Sequence, residues 1–141
     1  MRKAFSQGQH DQDDVPTKKA VAKFIFTHWN CSTLKNEDSF GVDIICMRGG
    51  EVVGHVEVER RHSWQYGDFP FKTVHVPGRK KKFFEVGVPT VIFSVRKDLQ
   101  KALWTTGEVV LGSPIVYADN KDCMNEDFFD VPVDKWRVVD L

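Results

Sequence analysis

The alternating pattern of residues 52–61 constrains the fold more than any other feature of this sequence. Apolar and polar residues follow one another there with the period of two that is typical of a β-strand. One face of the strand would carry Val52, Val56 and Val58, and the other Val53, His55, Glu57, Glu59 and Arg61. A glycine pair within residues 48–51 separates this strand from a β-branched run at 42–47, which predicts a β-hairpin.

Helical and strand patterns alternate along the rest of the chain and predict an α/β domain. Asp13 and Asp14, ahead of Pro16, start a helix that is expected to end near Asn30. Further strands are predicted at 71–76, 91–95, 109–111 and 115–117, short helices at 79–84 and 98–103, and an apolar carboxy-terminal segment at 128–139. The predicted architecture is a central mixed β-sheet flanked by helices.

The length and cysteine content bound the domain organisation and the cellular setting. A chain of 141 residues suits one domain, which we place at 13–141 after a loose tail at 1–12. The three cysteines lack a CxxC pairing, which argues against a disulfide framework or a cysteine zinc site. The sequence has no apolar run that could cross a bilayer and no signal peptide. We therefore expect a soluble, cytoplasmic protein without a membrane partner.

The charges are balanced overall but unevenly distributed. The formal net charge is zero, so the sequence lacks the general basic character of many nucleic-acid-binding proteins. Basic residues nevertheless gather at Arg60 and Arg61 and again at 79–82. These two clusters lie on either side of the predicted third strand and are candidates for contact with phosphate groups.

Three acidic residues of the predicted hairpin are candidates for a metal site. Asp43 lies near the start of the first strand, and Glu57 and Glu59 lie two residues apart on the second. Neighbouring strands are ~5 Å apart, so their side chains can share one cation. Carboxylate oxygens suit Mg²⁺ or Mn²⁺. A divalent ion beside a phosphodiester promotes its hydrolysis, which makes this chemistry the expected function.

The segments Gly41-Val42-Asp43-Ile44-Ile45-Cys46 and His55-Val56-Glu57-Val58-Glu59-Arg60 resemble the active-site hairpin of the PD-(D/E)XK nuclease superfamily. The likeness covers roughly the central third of the chain. It implies a restriction-endonuclease-like fold and hydrolysis of DNA with Mg²⁺ or Mn²⁺. Asp43 and Glu57 would bind the metal, with the main-chain carbonyl of Val58 close to it. The resemblance also leaves a homodimer open, since two cuts need two sites.

This chain departs from the family pattern at two places. Glu59 stands where most members have a lysine, although some restriction enzymes carry glutamate there and are active. We expect Lys80 to supply the missing cation, with Lys72, Arg79 and Lys81 as further candidates, and Glu59 to bind the metal directly or through water. The first helix has no acid between Pro16 and Asn30, so an additional ligand would come from Glu37 or Asp38.

Contacts to DNA phosphates are expected from Arg60, Arg61, Arg79, Lys81 and Lys82.

The same residues permit other interpretations. Glu57 and Glu59 can form the solvated face of an amphipathic strand, and residues 79–82 can form a solvated helix face. A nuclease fold that has lost catalysis and binds nucleic acid or a protein is the main alternative, favoured by the glutamate at position 59 and the acid-free helix. An ordinary carboxylate-bearing α/β domain that binds a protein partner is a third possibility.

Overall fold

The computed structural model describes residues 14–35, 41–118 and 126–141. The predicted tail at 1–12, the candidate ligands Glu37 and Asp38, and Cys123 lie outside these ranges. The elements along the chain are α1 (Val15–Trp29), β1 (Ser32–Lys35), β2 (Ile44–Arg48), β3 (Glu51–Arg61), β4 (Thr73–Pro77), a 3-10 turn (Gly78–Lys80), α2 (Lys81–Phe84), β5 (Thr90–Arg96), β6 (Lys101–Thr106), α3 (Gly107–Leu111), β7 (Ile115–Ala118), β8 (Glu126–Pro132), a second 3-10 turn (Val133–Lys135) and β9 (Arg137–Asp140).

The described strands form two sheets. A six-stranded sheet has the order β1-β2-β3-β5-β6-β9, and a three-stranded sheet has the order β4-β8-β7. Strands β3 and β5 run parallel, while the other neighbours are antiparallel, so the larger sheet is mixed. The prediction of an α/β domain with a mixed sheet is confirmed. Helix α1 covers one face of this sheet as predicted, whereas the second sheet, which was not predicted, covers the other face together with the two short helices.

Helix α1 has the start and end that its sequence predicts. The Asp14 carboxylate accepts the backbone N–H of Thr17 at 3.4 Å, and Pro16 lies in the first turn, where a missing N–H costs nothing. Asn30 ends the helix in the left-handed conformation with φ 54°. The buried stripe of the helix, which includes Val21 and Ile25, packs on the sheet.

The hairpin of β2 and β3 is the framework of the candidate site. Gly49 and Gly50 have φ values of 59° and 81°, and Arg48 pairs with Glu51 across the turn. Two positive φ values in a two-residue turn match the twist of the flanking strands and favour glycine. The predicted strand, turn and strand are confirmed.

Each face of the larger sheet packs against a different hydrophobic core. Val56, Val58 and Phe93 pack under α1 in the first core. Ile92 lies in the second core, which joins the large sheet to the smaller one. Because Glu57 pairs with Ile92 across β3 and β5, Glu57 and Glu59 belong to the face that the second sheet covers.

Two predictions about residues 98–111 are wrong. The predicted helix at 98–103 is a hairpin that leads into β6, in which the Asp98 carboxylate accepts the backbone N–H of Gln100 at 3.0 Å and Leu99 adopts φ 64°. Ala102 lies in the first core and Leu103 in the second, so the segment is apolar on both sides. Such a run does not distinguish strand from helix.

The predicted strand at 109–111 is instead the end of α3. The hydroxyl of Thr106 accepts the backbone N–H of Val109 at 3.3 Å and caps this helix. Val110 packs into the second core, which also contains Val74 of β4 and Phe129 of β8. The strands predicted at 71–76, 91–95 and 115–117 and the short helix at 79–84 are confirmed, with small changes in their bounds.

Candidate active site

The hairpin brings two of the predicted metal ligands into contact. The backbone N–H of Asp43, one residue before β2, donates to Glu57 Oε2 at 3.0 Å. In return, the backbone N–H of Val58 donates to Asp43 Oδ2 at 2.9 Å. Each carboxylate is therefore oriented by the main chain next to the other acid.

The acidic face of β3 is not exposed to solvent. Glu57 is only 2% exposed, and Glu59 is partly buried beside it. A charge on the solvated face of an amphipathic strand would be exposed, so that interpretation is excluded for Glu57. A buried carboxylate needs hydrogen-bond donors or a counter-ion to remain ionised.

Lys80 supplies the counter-ion from a different part of the chain. Its Nζ atom lies 2.7 Å from Glu57 Oε1 and 3.1 Å from Glu59 Oε1, and the residue is 8% exposed. The 3-10 turn after β4 turns Lys80 inward, while Arg79, Lys81 and Lys82 are exposed. The basic cluster at 79–82 thus divides into one buried and three exposed cations.

Two further cations contact the acidic residues. Lys18 of α1 lies 3.4 Å from Asp43 Oδ1, and Arg61 Nη1 lies 3.3 Å from Glu59 Oε2. The guanidinium of Arg61 also donates to Ser94 Oγ and to the carbonyl oxygen of His75. Each of the carboxylates of Asp43, Glu57 and Glu59 therefore lies within 3.4 Å of at least one cation, from Lys18, Lys80 or Arg61.

Burial and charge shift the ionisation of the site in different directions. Burial raises the pKa of Glu57 above its ordinary value, with Lys80 opposing and Asp43 adding to the shift. Burial acts to raise the pKa of Glu59 too, but Lys80 and Arg61 outweigh it and lower the pKa. Burial acts to lower the pKa of Lys80, but Glu59 and Glu57 outweigh it and raise the pKa. Both oxygens of Glu57 accept N–H donors, and these hydrogen bonds favour the carboxylate and so oppose the effect of burial on its pKa.

The residues predicted to contact DNA have different surroundings. Arg60 donates twice to the carbonyl oxygen of Lys97, and Arg61 is held by the three groups described above. Both guanidinium groups are thus bound within the protein, so an intramolecular role accounts for them. Lys81 lies 3.9 Å from Glu85, and Lys82 lies over the ring of Phe83. Binding of DNA by any of these residues stays a prediction.

The donor atoms suit a hard divalent cation, but the carboxylates do not form a ready cage. Carboxylate oxygens are the ligands that Mg²⁺ and Mn²⁺ prefer. However, within residues 14–35, 41–118 and 126–141 no three His, Cys, Asp or Glu side chains are grouped closely enough to hold a metal. The ammonium of Lys80 lies between Glu57 and Glu59, where a shared ion would need to bind.

Lys18 is the residue of this network that the sequence interpretation missed. The informative feature of α1 is a lysine next to its buried stripe, and not its lack of acidic residues. Lys18 precedes Val21 by three residues and Ile25 by seven, which places it at the edge of the face that packs on the sheet.

Comparisons with protein-family models, with curated proteins and with solved structures give no match for this chain. In the part of the chain that the structure describes, no helix has both the length and the apolar character needed to cross a membrane.

Proposed function

We propose that this protein is a metal-dependent nuclease of the restriction-endonuclease-like type that hydrolyses phosphodiester bonds in DNA with Mg²⁺ or Mn²⁺. The observation that carries the proposal is the contact of Lys80 with both Glu57 and Glu59. The family resemblance requires a cation beside the acidic pair, and position 59 does not provide one. Lys80 brings an ammonium to this position from another element.

In this proposal Asp43 and Glu57 would hold the cation, and Glu59 would bind it directly or through water. When bound, the ion supplies positive charge at the phosphate and lowers the pKa of a neighbouring water. Lys80 stabilises the negative charge that develops on the phosphoryl oxygens in the transition state. Arg61 fixes the position of Glu59 through its contacts with Ser94 and His75.

The exposed cations next to Lys80 support nucleic acid as the substrate. Arg79, Lys81 and Lys82 surround the buried lysine in sequence and lie on the surface. They can bind the DNA backbone without reading its sequence and thereby hold a phosphodiester near the carboxylates. The free, buried thiols of Cys31 and Cys46 support an intracellular setting.

The test is incubation of the protein with linear, circular and branched DNA in Mg²⁺ or Mn²⁺, with EDTA as the control. We expect cleavage that EDTA abolishes and that Lys80→Gln reduces by about 10²-fold or more. Lys101→Gln is the matched control, because Lys101 pairs with Asp140 at the β6–β9 edge. Equal cleavage by Lys80→Gln and wild type would refute the role of Lys80, and no cleavage of any substrate would refute the function.

A second function is favoured by the charge balance of the site. Because each of the three carboxylates already has a cation within 3.4 Å, from Lys18, Lys80 or Arg61, the acidic residues have counter-ions without a metal. A nucleic-acid-binding module without catalysis would have the same arrangement. Such a module would bind DNA with an affinity that Mg²⁺ and EDTA do not change, and it would leave all three substrates intact.

The homodimer that the resemblance leaves open is tested by light scattering with a DNA duplex present.

A further inference from the structure

We propose that a cavity between the end of α1 and the β2–β3 hairpin binds a small carboxylic acid with an apolar, ring-sized body. The cavity has a volume of about 270 Å³ and is lined by Cys31, Cys46 and Val56 among others. These three residues belong to the first core, under α1, whereas Glu57 belongs to the face that the second sheet covers. The cavity is therefore separate from the acidic residues, and the inference does not depend on the nuclease proposal.

The walls of the cavity are mainly apolar. Trp29 at the end of α1, Val53 of β3 and Val91 of β5 line it together with the thiols of Cys31 and Cys46. Burial and the neighbouring Cys31 raise the pKa of the Cys46 thiol to about 11, so this thiol is neutral near pH 7. Apolar surface favours an apolar ligand, because water finds few hydrogen-bond partners there.

The volume limits the size of the apolar body. An apolar cavity of ~150 Å³ accepts a benzene molecule. A cavity of about 270 Å³ therefore has room for one aromatic ring and a short chain. It lies just below the range of ~300–1,000 Å³ that is usual for ligand pockets, so we expect a small metabolite-sized ligand and not a large cofactor.

Arg48 supplies a fixed positive charge at the rim of the cavity. Its Nη2 atom donates to the carbonyl oxygen of Trp29 at 2.7 Å and to Cys31 Sγ at 3.1 Å, and its Nε atom donates to the carbonyl oxygen of Asn30 at 3.4 Å. Within the part of the chain that the structure describes, Nη1 has no partner and no carboxylate pairs with this guanidinium. Two N–H donors of an exposed, immobilised group are thus open to a ligand.

The charge of the lining indicates a carboxylate as the group that Arg48 binds. Arg48 is the one arginine, lysine or acidic residue among the described residues that line the cavity. His55 also lines it, but burial lowers the pKa of His55, so its ring is neutral near pH 7. One guanidinium balances the single charge of a carboxylate, whereas a phosphate ester carries a charge of about −1.5 to −2. Guanidinium N–H groups and carboxylate oxygens also form strong hydrogen bonds.

The experiment follows the valine methyl groups of the full chain by NMR during titration with three probes. They are 3-phenylpropanoate, its neutral amide, and propanoate, which lacks the ring. We expect 3-phenylpropanoate to shift the methyl signals of Val53 and Val91 saturably and to leave Val110, in the second core, unchanged. The amide should bind about fivefold more weakly, as expected for loss of one exposed charge pair. Propanoate should give no saturable shift at the same concentrations.

A cavity-filling variant tests where the ring binds. Val53→Phe places a ring of the protein into the cavity and should abolish binding of 3-phenylpropanoate and of its amide. Val52→Phe is the matched control, because Val52 is the preceding residue, does not line the cavity and is 50% exposed. This control should retain the affinity of wild type. Unchanged binding by Val53→Phe would overturn the assignment of the cavity.

Arg48→Gln tests the contact with the carboxylate. Because Arg48 also binds the end of α1, the quantity to compare is the ratio of acid to amide affinity within each variant. This ratio should fall from about five to about one in Arg48→Gln, even if a distorted cavity weakens both probes. Arg60→Gln removes the same charge from an arginine that also donates to a main-chain carbonyl, that of Lys97, and should keep the wild-type ratio.

The titration of wild type alone can overturn the proposal. Methyl signals that do not shift saturably with 3-phenylpropanoate would reject the site, and equal shifts at Val110 would reject its location. Equal affinity of wild type for the acid and the amide would reject the carboxylate as the group recognised. DNA cleavage enters none of these measurements, so the nuclease proposal and the cavity succeed or fail independently.

Discussion

The carboxylate of Glu57 accepts the backbone N–H of Asp43 at 3.0 Å, so the side chain on β3 is tied to the main chain just before β2. The other oxygen of Glu57 accepts Lys80 at 2.7 Å. Both oxygens of one buried acid are thus occupied by N–H donors from distant parts of the chain. This arrangement determines how substitutions in the site should behave.

Glu57→Gln should lose activity and also some stability. A glutamine has one acceptor oxygen, so either the buried Asp43 N–H loses its acceptor or the Lys80 ammonium keeps only Glu59. A buried donor without a partner costs ~1–3 kcal/mol, which urea denaturation would measure. Asp43→Asn is the paired variant, which keeps one acceptor oxygen for the Val58 N–H and loses the charge that faces Lys18. A stability equal to wild type in both variants would show that these hydrogen bonds contribute nothing net.

Lys80→Met should destabilise the fold more than removal of an exposed lysine does. It leaves Glu57 buried without its cation, and loss of one partner of a buried pair costs ~3–5 kcal/mol. Adding Glu59→Gln should recover part of this loss, because Glu59 then no longer adds a second negative charge beside the uncompensated carboxylate of Glu57. The measurement is a double-mutant cycle in urea, and strict additivity of the two changes would contradict a direct Lys80–Glu59 interaction.

Glu59 should make stability depend on pH in the acidic range. Lys80 and Arg61 hold its pKa in the folded protein below the ordinary value of 4.5, against the effect of burial. The folded state then binds fewer protons, so this stabilisation is present above pH 4.5 and is lost as pH falls toward the folded pKa. The difference in unfolding free energy between wild type and Glu59→Gln should shrink below this pH. A difference that is constant from pH 7 to pH 3 would contradict the prediction.

Substitutions of lysine and of arginine in the two basic clusters should change the salt dependence of DNA affinity differently. Lys82→Gln should reduce the slope of log binding constant against log salt by about 0.9, as expected for one lost phosphate contact. Arg60→Gln should leave the slope nearly unchanged, because Arg60 is bound to the Lys97 carbonyl and lies 3.7 Å from Asp14. The measurement is fluorescence anisotropy with labelled DNA at several salt concentrations. An equal loss of slope in both variants would place Arg60 in contact with DNA.

The local features of this fold could be read from the sequence because their causes are local. Pro16 and Asp14 set the start of α1, and paired glycines set the turn of the β2–β3 hairpin. Residues 98–103 were assigned wrongly, since an apolar run buried on both faces has no periodicity that separates strand from helix. The second sheet was also missed as a layer, because the pairing of β4 with β8 joins segments far apart in the chain.

The same division applies to the candidate site. The sequence by itself determined that Asp43, Glu57 and Glu59 belong to one hairpin, because paired glycines mark its turn. The register shift between Cys46 and Met47, which sets Ile44 opposite Val56 at the site, was decided by the tertiary structure. Only the tertiary structure decided that Glu57 is buried, that Lys18 approaches Asp43, and that Lys80 is the member of its cluster that lies inside. These contacts depend on how the second sheet and α1 pack on the two faces of the first, and no local pattern specifies that packing.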